Sequence, residues 1–385
     1  MRAALALLLA TLVSCAYIGS VSPPAPLAPG PHLAAVDRDA CSALLRDDAS
    51  AALLQQGAAR SAEYLRSQPA DRVLTALDRQ VSASDLLRML NLLTDTPSDS
   101  LQSLCERLPL YRVELPRPVL FTGYYQPELA ASRNRTQRFR FPLYRTPDDL
   151  VDVDLGAFCT ECGGRVAKGR VQGGKLVPYY ARAEIEGGAL NGRSYEIAWL
   201  DDPVEAFFLH VQGSALLRYD DGVHIQISYS SSNGLPYTSV GSILIREGKM
   251  SADTVSLRTL KDYLRAHPDE QARLTAMYQR FIFFRAVAAG PVGSLGVPLT
   301  EGRSVAADPK VYPPGALVFV RIASRHDRAD SGDRPAVSRF ALIQDAGAAI
   351  TGPGRVDLFW GTGATAEAIA GDMQDPGELY IFLPR

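Results

Sequence analysis

The spacing of apolar residues divides the chain into a helical N-terminal part and a longer part built mainly from strands. Between residues 38 and 107, apolar side chains recur every three or four positions with polar faces between them, which predicts amphipathic helices. From Tyr111 onward, short apolar runs alternate with Gly, Asn and Asp turns, a pattern typical of strands. Residues 251–281 form a second helical stretch, with Ser251 as its N-cap candidate. Strand patterns then resume.

The predicted strands are short and have turn residues on both sides. They read VLFTGYY, FRFPLYR, SYEIAWL, AFFLHVQGSALLRY and GVHIQISYS before the second helical stretch, and FIFFRAV, ALVFVRI, RFALIQD, RVDLFW and LYIFLPR after it. Many short strands joined by Gly-rich turns favour closed barrels over one open sheet. The order of helices, strands, helix and strands also permits a first domain interrupted by an inserted second one. We therefore expect a mostly β protein of the α+β type with an N-terminal helical segment.

The N-terminus has the features of a secretory signal. An apolar run over residues 3–13 follows Arg2 and is too short to cross a bilayer as a mature helix. It ends in the letters LVSC, the pattern of a bacterial lipoprotein signal in which Cys15 becomes lipidated. The alternative is an ordinary cleaved signal with a chance Cys. Because Ala16 rather than Asp follows Cys15, we expect a lipid anchor at the periplasmic face of the outer membrane. Residues 16–37, rich in Pro, Ala and Ser, predict a flexible linker.

Composition narrows the possible partners. The 40 Lys and Arg and 42 Asp and Glu give a net charge of −2, so nothing indicates a nucleic acid or another polyanion. The five histidines are scattered without metal-ligand spacing, and the acidic run over residues 148–154 lacks the Gly and the final Glu of a calcium loop. The residues after the signal suffice for two domains. We expect no metal, no cofactor and no nucleic-acid partner.

Four cysteines follow Cys15, and an even number in an oxidising compartment favours disulfides. Cys159 and Cys162 form a C-x-x-C, which is consistent with half a zinc ribbon, a redox pair or a local disulfide. No second C-x-x-C or nearby His completes a zinc site. Of the three possible pairings, we favour Cys159–Cys162 together with Cys41–Cys105, which would join the two ends of the helical segment.

Three aspartates in the last fifth of the chain are the candidates for chemistry. Asp308, Asp345 and Asp357 each follow a small or apolar run and precede Gly or Pro turn residues. A carboxylate at the end of a buried strand is costly unless something pairs it or uses it. Three alternatives stand at this point: turn capping, a magnesium or calcium site, and acid/base catalysis by one Asp of raised pKa.

An ordered series of segments resembles a known family. The segments are FTGYYQPEL with FPLYRTPDDL, HVQGSALLRYDDG, NGLPYTSVG, PLTEGRSVAADPKVYPPGAL, and QDAGAAITGPGRVDLFWGTGATAEAIAG. In this order they resemble the membrane-bound lytic transglycosylase A family, MltA, with its C-terminal three-aspartate (3D) domain. The resemblance runs from about Leu120 to the C-terminus, and the lipoprotein signal agrees with it.

The resemblance implies a double-psi β-barrel built from the residues that flank an inserted second β-barrel domain, with a groove between the two. The expected divisions are residues 1–15 (signal), 16–37 (linker), 38–127 (helical segment and first part of domain 1), 128–281 (inserted domain) and 282–385 (second part of domain 1).

It also implies an activity: cleavage, without water, of the bond between N-acetylmuramic acid and N-acetylglucosamine in peptidoglycan, leaving 1,6-anhydromuramic acid. Asp357 matches the family's catalytic acid/base, and Asp308 and Asp345 match supporting residues. The expected substrate-binding residues are Thr122, Gly123, Tyr124, Tyr125, Gln212, Gly213, Ser214 and Asn233. The alternatives are a hydrolytic muramidase and a non-catalytic peptidoglycan-binding lipoprotein. The expected protein is a monomer, or one member of a cell-wall enzyme complex.

The chain departs from the family pattern in two places. Where the family usually has Gly-Gly-Ala-Ile-Lys-Gly after the second aspartate, this chain has Ala348 and Thr351 in place of the second Gly and the Lys. Ala348 is tolerable unless its φ is positive, and the missing Lys bears on substrate affinity. The segment CTECGGRVAKGRVQGGKLVPYY has no family role that we can assign.

Overall fold

The computed structural model describes residues 30–323 and 336–384. The predicted signal, Cys15 and most of the predicted linker lie outside these residues. Within them, none of the helices combines the length and the apolar character needed to cross a membrane.

The strands of the described residues are β1 His32–Ala35, β2 Val73–Ala76, β3 Arg79–Ser82, β4 Leu110–Glu114, β5 Val119–Gln126, β6 Glu128–Ser132, β7 Phe141–Tyr144, β8 Val151–Asp154, β9 Val166–Gln172, β10 Lys175–Pro178, β11 Glu196–Leu200, β12 Ser214–Tyr219, β13 His224–Ser232, β14 Ile282–Val287, β15 Ser304–Ala306, β16 Leu317–Ile322, β17 Val337–Asp345, β18 Arg355–Thr362 and β19 Gln374–Phe382. The α-helices are α1 Arg38–Leu44, α2 Ala51–Arg66, α3 Ala83–Thr94, α4 Leu104–Arg107, α5 Arg182–Glu184, α6 Pro203–Gln212, α7 Val240–Arg246, α8 Leu257–Ala266, α9 Pro268–Met277 and α10 Ala364–Ala370. Short 3₁₀ turns cover Ser98–Ser103, Leu155–Ala157 and Thr160–Cys162, and a π turn covers Ile185–Ala189.

The first sheet closes into a six-strand barrel. Its order is β1-β4-β19-β16-β17-β15-β18-β5, and β5 also pairs with β19, so the last six strands of that order form a ring. Two of the pairings, β15 with β17 and β18 with β5, are parallel, whereas the others in the ring are antiparallel. This closed ring confirms the expected barrel and is consistent with a double-psi arrangement.

The N-terminal helices pack on the outside of this barrel. Gly57 of α2 lies so close to Leu342 that a Cβ on it would approach the Leu342 Cδ1 to 2.7 Å. The backbone oxygen of Gly57 accepts a hydrogen bond of 2.8 Å from the side chain of Gln344. The fully buried Arg303 donates to Asp47 at 2.8 Å and so holds the segment before α2. A disulfide joins Cys41 to Cys105, as expected.

A second, six-strand sheet has the order β14-β13-β12-β6-β11-β7. Its edge strands β14 and β7 approach each other, which gives the sheet a barrel-like curvature. Helices α6 to α9 share one apolar cluster, and α6 contacts both strand β12 of this sheet and strand β5 of the first barrel. A separate three-strand arm, β10-β9-β8, extends from it and carries the Cys159–Cys162 disulfide in the loop before β9. The chain enters this part directly from β5 and returns through β14.

The prediction of a strand over AFFLHVQGS was wrong, because Pro203–Gln212 forms α6. Local signals explain the helix. The side chain of Asp202 caps its first turn by accepting from the backbone amides of Val204 and Glu205, and Pro203 occupies the first helical position. Gly213 ends it in the left-handed conformation, with φ of 85°. Apolar side chains lie on two sides of α6, with Leu209 in one apolar cluster and Phe207 and Phe208 in another. Because of this, the segment has the nearly continuous apolar sequence of a buried strand.

Several other boundaries differ from expectation. His32–Ala35, at the end of the predicted linker, pairs with β4 as strand β1, and the helical segment contains the β2–β3 hairpin. Ser256 rather than Ser251 caps α8. The NGLPYTSVG turn leads into a helix, α7, that Ser239 caps. Of these elements, β1 has a partner strand far away in the sequence, whereas β2 and β3 pair with each other across a tight turn.

Candidate active site

The barrel places two of the three aspartates on either side of one short strand. Ala306 of β15 pairs with Asp345 of β17 on one edge and with Asp357 of β18 on the other. Asp308 follows Ala306 by two residues, so all three aspartates lie at the same end of these strands. The sequence expectation that they share a site is consistent with this geometry.

Asp357 faces Thr122 across the parallel pairing of β18 with β5. Among the residues that the structure describes, neither the buried Oδ1 of Asp357 nor the buried Oγ1 of Thr122 has a hydrogen-bond partner of normal geometry. Burial raises the pKa of Asp357 from 3.8 to about 6, and the charge of Asp345 adds to this effect. The nearby Thr122 hydroxyl and the Arg355 guanidinium oppose it without cancelling it. Asp357 therefore has the environment of a carboxyl that exchanges a proton near neutral pH.

Asp345 accepts three hydrogen bonds. The hydroxyl of Tyr124 donates to Oδ2 at 3.0 Å, and the backbone amides of Ser294 and Ala346 donate to Oδ1 at 2.8 and 2.9 Å. Burial raises the pKa of Asp345, while these donors act in the opposite direction. The ring of Tyr124 also packs against Phe359, with centroids 5.2 Å apart. Asp345 is thus held in place, and its carboxylate is well solvated by protein groups.

Asp308 has a different environment. It is buried, and its carboxylate accepts from the backbone amides of Lys310 at 2.9 Å and of Gly352 at 2.7 Å. It therefore joins the turn after β15 to the loop between β17 and β18. Gly352 has a φ of 74°, whereas Ala348 is not among the described residues of positive φ. Ala348 is therefore compatible with its position in the loop, as expected.

The QGS segment lies beside the strand that carries Thr122 and Tyr124. Gln212 is the last residue of α6, Gly213 forms the turn, and Ser214 begins β12. Both α6 and β12 contact β5. All three residues are partly exposed, so their polar groups are accessible to a ligand between the two sheets.

Two of the predicted substrate-binding residues, Tyr125 and Asn233, are buried, and a third, Gly123, is partly buried and closely packed. A Cβ on Gly123 would lie 2.8 Å from Cα of Ala370. Tyr125 is 2% exposed, and its hydroxyl is bound by other side chains. Asn233 is fully buried and donates to the backbone oxygens of Tyr180 and Gln279. Direct contacts from these residues to a sugar stay predictions, and their surroundings favour a structural role.

Sequence reasoning missed several neighbours of the site. Ser294, which holds Asp345, lies in a Gly-rich loop without any motif that marks it. No local motif marks a partner for Glu128 or Glu205, but Glu128 pairs with Arg218 at 3.2 Å and Glu205 with Lys261 at 2.8 Å. These pairings join residues from separate elements, so no local signal predicts them. In residues 30–323 and 336–384, no group of three or more His, Cys, Asp or Glu is arranged to hold a metal ion.

Comparisons with known proteins agree with the resemblance. The model of the MltA specific insert domain matches residues 120–285, and that of the 3D domain matches residues 303–383. The Vibrio cholerae protein named membrane-bound lytic murein transglycosylase A is 29% identical over 266 residues, which are 68% of this chain and 64% of that protein. The match thus spans slightly less than two thirds of that relative.

Solved structures give a longer match. A crystal structure of a membrane-bound lytic murein transglycosylase from Agrobacterium tumefaciens superposes with a TM-score of 0.80 at 29% identity, covering 92% of this chain and 98% of that one. The structure of Escherichia coli MltA with bound chitohexaose has a TM-score of 0.68 at 22% identity and covers 92% of this chain and 95% of that one, a likeness of fold. With both characteristic domains in the same order and the fold of the solved members, the chain belongs to the MltA family.

Proposed function

We propose that this protein is a lytic transglycosylase that cleaves the bond between N-acetylmuramic acid and N-acetylglucosamine in peptidoglycan. The observation that carries the proposal is Asp357, near the start of barrel strand β18 in a chain of the MltA family. It is a buried carboxyl of raised pKa, and its Oδ1 has no hydrogen-bond partner among the described residues. The names of the relatives, lytic murein transglycosylase, support the same substrate.

One carboxyl is sufficient for this reaction because the substrate supplies its own nucleophile. Protonated Asp357 donates its proton to the glycosidic oxygen as the bond from C1 of muramic acid to that oxygen breaks. The C6 hydroxyl oxygen of the same muramic acid bonds to C1, and the Asp357 carboxylate accepts the C6 hydroxyl proton. The products are a free hydroxyl on N-acetylglucosamine and a 1,6-anhydro ring, and Asp357 is protonated again.

The state of Asp345 favours this route over hydrolysis. Hydrolytic glycosidases use a second carboxylate as nucleophile or as the base that activates water. Asp345, whose charge reaches Asp357, is engaged by Tyr124, Ser294 and Ala346. The carboxylate of Asp308 is engaged by two backbone amides. The hydrogen bonds that these two aspartates accept therefore oppose the use of either one as a second catalytic carboxylate.

The glycan is proposed to bind between the two sheets. Thr122, Tyr124 and the segment from Gln212 to Ser214 offer hydroxyl, aromatic and amide groups there, and sugars stack on aromatic faces and bind such polar groups. We propose that Gly123, Tyr125 and Asn233 hold these residues in place through packing and hydrogen bonds. The chitohexaose bound to Escherichia coli MltA supports a site for a chain of N-acetylglucosamine units.

The proposed location is the periplasmic face of the outer membrane, with a lipid on Cys15 as the anchor. The words membrane-bound in the names of the relatives support membrane association. The proposed partners are peptidoglycan strands. The protein would act as a monomer or within a cell-wall enzyme complex.

The decisive experiment is digestion of purified sacculi with the purified protein, followed by mass spectrometry of the released muropeptides. We expect products that end in 1,6-anhydromuramic acid. Products with a reducing muramic acid would identify a hydrolytic muramidase instead. Binding to sacculi without any release, by a correctly folded protein, would identify a binding lipoprotein.

A further inference from the structure

A buried lysine forms a charged cluster behind the proposed active site. Lys261 of α8 is 3% exposed, and its Nζ donates to Glu205 of α6 at 2.8 Å, to Glu367 of α10 at 2.7 Å and to the hydroxyl of Tyr125 of β5 at 2.9 Å. The Tyr125 hydroxyl also donates to Glu367 at 2.6 Å. We call these four residues the Lys261 cluster. They come from four elements, two in the helical layer of the inserted part and two in the first barrel.

The cluster has one ammonium and two carboxylates, and Arg265, which pairs with Glu205, supplies the second positive charge. The ammonium of Lys261 has two carboxylate partners and one hydroxyl acceptor, which matches its three N–H donors. Burial acts to raise the pKa of Glu367, but the hydrogen bonds from Lys261 and Tyr125 outweigh it, so this pKa is lowered and the carboxylate stays ionised. Removing one partner would leave a buried charge or polar group without compensation, which is strongly unfavourable.

The cluster reaches the two strands that carry the proposed active site. On β5, side chains alternate between faces, so Tyr125 anchors the face opposite to Thr122 and Tyr124. Glu367 belongs to α10, which begins immediately after β18, the strand of Asp357. Lys261 therefore connects the strand of Thr122 with the helix that follows the strand of Asp357.

The regular pairing of β5 with β18 is interrupted near the Lys261 cluster, so side-chain contacts are needed there to hold the two strands together. Asp357 pairs with Thr122 and Phe359 pairs with Tyr124, but the next pair is Thr362 with Gln126, so β18 contains one extra residue. Beyond this bulge, the amide of Gly363 donates to the backbone oxygen of Gln126 at 2.9 Å. The cluster begins one residue before Gln126, so it fixes the two strands just where their regular ladder is interrupted.

We propose that Lys261 is a positioning residue: through Tyr125 and Glu367, it holds β5 against β18 so that Thr122 and Tyr124 keep their places around Asp357 and Asp345. The inference rests on the proposed function for its effect on rate. A role in stability alone would not require this arrangement, because well-packed apolar residues stabilise a protein as well as a buried ion cluster does or better.

Tyr125→Phe is the main test. It removes one hydroxyl and leaves the pairs of Lys261 with Glu205 and Glu367 in place, so the protein should fold. We expect the rate of anhydro-muropeptide release from glycan strands to fall at least about tenfold, since small misplacements of reacting groups have large effects on rate. Affinity for chitohexaose should change by less than about twofold. The upper limb of the pH–rate profile should move to lower pH, because a looser site admits water to Asp357.

Lys261→Met and Lys261→Arg extend the test. Lys261→Met should lose rate at least as strongly as Tyr125→Phe, and Lys261→Arg, which keeps the charge, should recover part of the loss. Lys249→Met is the matched control, because Lys249 also pairs with two glutamates, Glu247 and Glu270, but near the surface. Its rate and pH profile should equal those of the unmodified protein.

The outcomes separate this inference from the proposed function. If the unmodified protein releases no anhydro product, the proposed function fails. If that protein is active and a folded Tyr125→Phe variant keeps both its rate and its pH profile, the positioning role is overturned. If Lys261→Met fails to fold, the result for Tyr125→Phe alone still tests the positioning role.

Discussion

The hydroxyl of Tyr124 donates a 3.0 Å hydrogen bond to Oδ2 of Asp345 and so joins β5 to β17. These strands are not neighbours, because β15 and β18 lie between them in the sheet order. The bond therefore spans two strands, β15 and β18, and Asp357 lies on the second of these. It fixes the position of the carboxylate whose charge contributes to the raised pKa of Asp357.

Replacing Tyr124 by Phe should test the importance of this bond. Asp345 would lose one of three donors while remaining buried, so we expect a loss of about 1–3 kcal/mol in the free energy of unfolding. The rate of glycan cleavage should also fall, because Asp345 is no longer held. Urea denaturation and product release measure the two effects. Tyr229→Phe, at an exposed tyrosine, is the control and should change neither.

Asp357→Asn should abolish most of the activity. Asn keeps the size of the side chain but cannot transfer a proton, so the rate should fall at least about 100-fold. Chitohexaose binding, measured by calorimetry, should persist. Asp308→Asn and Asp345→Asn should lose less rate. Near-normal turnover of Asp357→Asn, with one of the other two inactive, would show that the acid is assigned to the wrong residue.

The same substitution should stabilise the protein at neutral pH. The pKa of Asp357 is raised to about 6 in the folded state from 3.8, so its contribution to stability is complete below about pH 4 and is lost as the pH rises through about 6. A shift of this size corresponds to at most about 3 kcal/mol. Asp357→Asn should therefore melt at a higher temperature than the unmodified protein at pH 7.5, with the difference shrinking towards pH 4. An equal difference at both pH values would contradict the raised pKa.

The pH–rate profile should show the ionisation of the acid. Because Asp357 must be protonated to donate, the rate should decline as the pH rises through about 6. The charge of Asp345 helps to raise this pKa, so Asp345→Asn should move the decline to lower pH. Asp221→Asn, on an exposed turn, provides the control. A decline that stays in place in the Asp345 variant would show that burial alone raises the pKa.

The anchor can be tested in cells. If Cys15 is lipidated, Cys15→Ala should leave the signal uncleaved or release the protein from the membrane fraction, because the acyl chains attached at Cys15 provide the membrane affinity. Cell fractionation with immunoblotting measures this. Cys159→Ala, which removes a cysteine from the exposed arm, should leave the location unchanged. Unaltered outer-membrane fractionation of Cys15→Ala would refute the lipid anchor.

The sequence by itself determined most strands of the two large sheets, the aspartates as candidates for the chemistry, and the family, and it favoured the cysteine pairing that the structure shows. These features depend on local patterns: alternation of apolar residues, turn residues after a strand, and motifs in a fixed order. The strand prediction over RVDLFW, for example, was confirmed by β18 because apolar residues and flanking turn residues suffice to define it. The local signal was ambiguous in α6. Its apolar residues indicated a strand and its capping residues a helix, and the strand prediction was wrong.

Only the tertiary structure decided which side chains meet. The bond from Tyr124 to Asp345 joins residues 221 positions apart, and that from Lys261 to Tyr125 joins residues 136 positions apart. Such contacts follow from the closure of the barrel and from the position of α8 beside β5. The same is true of the pKa of Asp357, since burial and the charge of Asp345 arise only after β15, β17 and β18 have assembled. The sequence names the carboxyl, but its proton affinity is a property of the folded barrel, because desolvation and neighbouring charge depend on three-dimensional surroundings.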